Sequence, residues 1–167
     1  NGYSQDKVTL SGTDIEVAYS NYQREQKDLV EAEKVYSTLS DYDNTGRMLF
    51  NKAYVLFYDG NYIECEVEIS KALQYLKESK DQQLLYCCNA LMGNCLEKLV
   101  NYDKALWYHR MALNNLEKIK LNHIDKDEIT NYNVTATINI CNLYDLKGEY
   151  LKSIAKLQGL LSSDLEK

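Results

Sequence analysis

The chain has 167 residues, 45% hydrophobic and 26% charged, enough for one globular domain or a short repeat array with a sizeable core. Its formal net charge of -6 comes without a Lys/Arg cluster large enough to make a phosphate-binding face, so nucleic acid is not expected as a partner. No stretch approaches the roughly 18 apolar residues of a membrane span, and a basic or neutral protein is the easier partner to attract.

There is no Pro, and the seven Gly are scattered singly, so the interior can be helical throughout. Residues 1–12 read as an N-terminal extension. "NGYSQDK" lacks an initial Met, as expected of a segment trimmed from a longer chain or of a processed precursor. From residue 13 on, amphipathic runs alternate with short turns. The first pair is 14–26 and 28–39. The second is 47–58 and 60–73, joined at "YDGNY"; the third is 84–98 and the run opening at Tyr102, joined at "LVNY". The fourth, 132–146 and 149–165, is joined at "LKGEY" and follows a longer connection at 120–129. The Gly or Asn in each junction suits a helix that ends in a left-handed residue before an antiparallel one begins.

These pairs repeat. Residues 60–73 place Gly60, Tyr62, Cys65, Ala72 and Leu73 where residues 148–161 place Gly148, Tyr150, Ser153, Leu160 and Leu161. "NYDKALWYHRMAL" supplies Tyr102, Ala105, Ala112 and Leu113; "DLVEAEKVYSTL" is a weaker copy with Leu29, Ala32, Tyr36 and Leu39. The aromatic residue after the turn is expected to plug the crevice between the two helices, and the residue three later must be small where they cross. Cys65 and Ser153 therefore have a packing reason.

This pattern resembles the tetratricopeptide repeat family, with Gly93, Tyr102, Ala105 and Ala112 in four of its signature slots, and Ser20, Ala53 and Cys141 taking the slot of Gly93 in the other copies. The resemblance spans about residues 13–165. It departs from the family in lacking a closing Pro and in its spacings, which from Leu29 to Tyr62, Tyr102 and Tyr150 are 33, 40 and 48. Lengthened units of this kind occur in bacterial regulatory relatives. The resemblance implies an all-α solenoid of about four helix-turn-helix hairpins (13–41, 46–80, 84–121 and 130–166) in a right-handed superhelix, with the first helices on the concave side.

The inward slots then hold Asp14, Val17, Asn21, Arg24 and Glu25; Arg47, Phe50, Tyr54, Phe57 and Tyr58; Cys87, Ala90, Asn94, Glu97 and Lys98; and Thr135, Ile138, Asn142, Asp145 and Leu146. Asn21, Asn94 and Asn142 share the ninth slot. An amide offers both donor and acceptor and can pair with the backbone of an extended peptide, as such Asn do in peptide-binding family members. The candidate ligand-binding face is thus Asn21, Arg47, Phe50, Tyr54, Tyr58, Asn94, Lys98 and Asn142. The alternative is that Asn, frequent in this chain, caps or solvates helices, and that the two Phe pack into the core. The carboxylate-holding activity of chaperone-binding members is not carried over, because Phe50, Ala90 and Ile138 stand where cations are wanted.

The sequence points to no catalytic centre, metal or cofactor. His109 and His123 lack ligand spacing, "IDKDE" at 124–128 lacks the Gly and terminal Glu of a calcium loop, and no phosphate loop or nucleophile elbow occurs. The sequon "NVT" at 133–135 falls inside a predicted helix. The five cysteines form an odd set without scaffold spacing, which suits reduced, buried thiols and leans toward the cytosol; a secretion signal ahead of "NGYSQDK" would instead place the chain in the periplasm. Trp107 falls away from the small-residue seam, on the convex side. The last helix keeps Ile154, Leu157, Leu160 and Leu161, so either more chain or another copy is expected against it. The expected function is a non-catalytic protein- or peptide-binding scaffold, the sensing or interaction domain of a larger bacterial regulator; the alternative is an assembly adaptor that mediates oligomerisation without a peptide ligand.

Overall fold

A computed structural model describes residues 24, 27–31, 34, 41–120 and 126–165. The first predicted hairpin, with Asn21 and Ala32, lies largely outside them, although 27–31 are helical as expected. The other three hairpins are present. They consist of α1 (Tyr42–Tyr58), α2 (Tyr62–Tyr75) with a 3-10 turn at Leu76–Glu78, α3 (Gln82–Lys98), α4 (Tyr102–Lys120), α5 (Lys126–Leu146) and α6 (Tyr150–Leu165).

The first helices begin earlier than the hydrophobic pattern suggests, because capping precedes periodicity. The Asp41 carboxylate accepts from the Asn44 N–H at 3.2 Å, and Asp81 does the same for Leu84 at 2.9 Å, satisfying donors that open helix ends leave bare. All three hairpin turns use one device. The N–H of the left-handed residue bonds back to the carbonyl three residues earlier, and the following N–H bonds to the carbonyl five earlier: Gly60 to Phe57 and Asn61 to Leu56, Val100 to Glu97 and Asn101 to Leu96, Gly148 to Asp145 and Glu149 to Tyr144. In "LVNY" the left-handed residue is therefore Val100 (φ 61°), not the Asn that the sequence suggested, so a β-branched side chain sits where Gly60 and Gly148 sit elsewhere.

Each helix packs on the next, and the first helices α1, α3 and α5 also touch one another, which lays them side by side in one layer. The chain is an all-α, solenoid-like stack. At the crossings the small residues are buried as expected: Ala53, Gly93 and Cys141 on first helices, Cys65, Ala105 and Ser153 on second helices. A Cβ on Gly93 would lie 2.6 Å from the His109 ring, so that imidazole fills the space a larger residue would occupy. Tyr62 and Tyr102 are half-buried in their crevices, but Tyr150 is exposed. Four of the five cysteines are buried and all are free thiols. The Cys95 thiol donates to the Tyr62 carbonyl at 2.9 Å, and the interaction between the Cys65 and Cys95 thiols pushes Cys65 up and Cys95 down from the usual range. Trp107 is more than half exposed, edge-on to Tyr108.

Candidate functional site

The first-helix layer presents three shallow cavities, and seven of the eight candidate ligand-facing residues, all but Asn21, line them. At one end, Arg47, Phe50, Asn51, Asp81, Gln83, Leu84 and Cys87 enclose about 410 Å³ between α1 and α3. Here the Arg47 guanidinium donates to the Asp81 carboxylate at 2.7 Å. Asp81 also caps α3, so Arg47 fastens one unit to the next and its charge is engaged within the chain.

Further along α1 the aromatic side chains form a run. Phe50 and Tyr54 have ring centroids 6.1 Å apart, and Tyr54 and Tyr58 4.8 Å apart. Phe57 meets Tyr58 edge-on at 5.6 Å, and meets Tyr62 of α2 at 5.5 Å. The Tyr54 hydroxyl donates to Tyr58 at 3.3 Å, which raises the Tyr54 pKa. The neighbouring core decides which of these are available: Phe50 and Phe57 are partly buried against it, while Tyr54 and Tyr58 are exposed and border a cavity of about 350 Å³ with Val55 and Asp59. The core role of the two Phe, an alternative at the sequence level, is thus observed.

The third cavity, about 270 Å³, lies between α3 and α5 and is lined by Phe57, Asn94, Glu97, Lys98, Asn139 and Asn142. It brings Asn94 and Asn142 together, with Lys98 and Asn142 exposed. Asn139 was missed in the sequence. Its amide donates to the Asn94 side chain at 3.3 Å, joining the two first helices across the groove. The signal was available, because Asn139 lies one helical turn before Asn142 and shares its face. Asn21 lies outside the described residues. Other amides have structural work: Asn89 donates to Asn115 at 2.9 Å, and Asn115 donates to Gln82 at 3.0 Å, in a cluster between α3 and α4. A similar internal role belongs to Glu68, whose Oε1 pairs with Lys52 at 3.1 Å and Lys71 at 3.0 Å.

Chemically, the groove offers neutral donors and acceptors, one cation, one carboxylate and flanking aromatic surface. That set can hold the backbone of an extended chain. Among the described residues no three His, Cys, Asp or Glu side chains converge as metal ligands, and no helix is long and apolar enough to cross a membrane.

The fold defines an all-α, solenoid-like helical protein. It is similar to BtubC (BKLC) from P. vanneervenii, with a TM-score of 0.70 and 16% identity over 86% of this chain and 58% of that one. This chain therefore spans somewhat under two thirds of the BtubC chain, and at that identity the likeness concerns the fold alone. No family model matches the chain, and no curated protein matches it.

Proposed function

We propose that this chain is a non-catalytic, tetratricopeptide-type scaffold whose first-helix layer holds an extended segment of a partner protein, as the sensing or interaction part of a larger bacterial regulatory protein. The observation that carries this reading is the convergence of Asn94, Asn139 and Asn142, from two successive first helices, on one groove beside Lys98 and Glu97. Amides repeated along a groove match the alternating N–H and C=O groups of a strand-like peptide and leave its side chains free to choose neighbours such as Tyr54 and Tyr58.

The test is thermal melting of the wild-type chain and an Asn94→Ala, Asn142→Ala variant, each with and without a pool of extended peptides. Bound peptide raises the wild-type melting temperature by mass action, and the variant, with an unchanged melting temperature of its own, loses that shift. A shift that survives in the variant, or its absence in the wild type, overturns the reading. An assembly adaptor without a peptide ligand is the second reading, favoured by the exposed apolar surface of α6.

A further inference from the structure

Two of the four buried thiols meet across the junction between α2 and α3. Cys95 lies on α3, and its thiol donates to the Tyr62 carbonyl of α2 at 2.9 Å. The same sulfur faces the Glu66 N–H and the Cys65 thiol. Cys65 and Glu66 follow Tyr62 by three and four residues and share its helix face, so the Cys95 sulfur is seated on the turn of α2 that carries Cys65. Both cysteines are fully buried and belong to the core cluster in which the two helices pack. Cys65 is held above the ordinary thiol range and Cys95 below it, because their contact favours a thiolate on Cys95 over one on Cys65.

The other cysteines lack this arrangement. Cys87 and Cys88 are neighbours on α3 whose side chains diverge; Cys88 is buried, which pushes it up to about 12, and Cys87 is half-buried. Cys141 of α5 rests against the Ser153 carbonyl of α6. Packing calls for a small residue at Cys65, but not for sulfur. Its slot, three after the turn tyrosine, holds Ala105 and Ser153 in the other units, and the slot of Cys95, five before the left-handed turn residue, holds Val55 and Leu143. A thiol pair in contact adds a chemistry that those side chains lack.

We propose that Cys65 and Cys95 are the site of a reversible disulfide that ties α2 to α3 when the chain meets a hydroperoxide. The Cys95 thiolate attacks one peroxide oxygen and the O–O bond breaks. Cys95 becomes a sulfenic acid, and the other oxygen leaves as hydroxide, which takes up the proton that Cys95 gave up. The Cys65 sulfur then displaces the hydroxyl from Cys95, the S–S bond forms, and a second water leaves. Two thiols lose two electrons and two protons, and one peroxide becomes two waters. Burial excludes a bulky oxidant and places the second thiol beside the first before either reacts. The bond joins two successive hairpins, across the junction that also holds the Arg47–Asp81 pair, so oxidation fixes how one unit sits on the next. The site is separate from the amide groove and does not depend on it.

The test treats the folded 167-residue chain with hydrogen peroxide, blocks the remaining thiols with iodoacetamide and maps disulfides by mass spectrometry of proteolytic peptides. One bond is expected, joining the peptide of Cys65 to that of Cys95 and opened again by dithiothreitol. The oxidised chain should melt at a higher temperature than the reduced one, because the cross-link closes a loop of about 30 residues in the unfolded chain. Cys65→Ala and Cys95→Val, residues that the other units carry in these slots, should each abolish both the bond and the rise in melting temperature, with far-UV circular dichroism confirming that the helices remain. Cys87→Ser should leave both in place. A bond that forms only in urea, a bond between other cysteines, or oxidation of Cys95 that runs on to the sulfinic acid overturns the proposal. So does a melting temperature that the bond leaves unmoved.

Discussion

His109 makes stability depend on pH between the ordinary imidazole value and its own depressed one. Its ring is fully buried against Gly93, both ring nitrogens lack a hydrogen-bond partner, and burial pulls its pKa from 6.5 down to about 4. A base with a depressed folded-state pKa is protonated first in the unfolded chain, so its contribution to folding is intact above the unfolded pKa and is lost as pH falls toward the folded one. Linkage between 6.5 and about 4 gives a loss of about 2 kcal/mol from pH 7 to pH 5, approaching about 3 kcal/mol below pH 4. For a domain of this size, about 2 kcal/mol corresponds to roughly 4–8 °C in melting temperature. The assay is calorimetric melting at pH 7, 6 and 5 of the wild type and His109→Phe. Phenylalanine keeps a ring against Gly93 and removes two unpaired nitrogens, so the variant should be at least as stable at pH 7. All other groups are common to both proteins, so their contributions cancel in the difference. If both proteins lost the same stability between pH 7 and pH 5, the buried neutral imidazole would be ruled out as the cause.

Two further outcomes follow from backbone conformation. Val100→Gly is expected to stabilise the chain by about 1 kcal/mol, since a left-handed β-branched residue costs about 1–2 kcal/mol and glycine returns part of that as unfolded-state entropy. Val100 is largely exposed and little packing is lost; a lowered midpoint in urea unfolding would contradict the strain assigned to it. Gly159→Ala, mid-helix in α6 where a Cβ would meet nothing within 4 Å, should add up to about 1 kcal/mol, seen as a higher urea midpoint at unchanged slope. No gain there would mean that α6 is frayed at that point.

The alternation of amphipathic runs, the absence of Pro and the small residues three after each turn tyrosine are local facts, and they determined the helices, their pairing and the crossings at Cys65, Ala105 and Ser153. Period and volume are properties of the chain alone, so they are legible before folding. Availability is not. Inward slots predicted Arg47 as a ligand-facing cation, but the stacking of α3 on α1 brings Asp81 to it from 34 residues away. Likewise Phe50 and Phe57 share a helix face with Tyr54 and Tyr58, and only the neighbouring core decides which pair is covered. Asn139 became part of the groove because α5 sits against α3, a relation between units that a repeat pattern within each unit does not encode. The burial of His109 has the same origin, since a glycine on the facing helix makes room for a ring whose charge that enclosure then forbids.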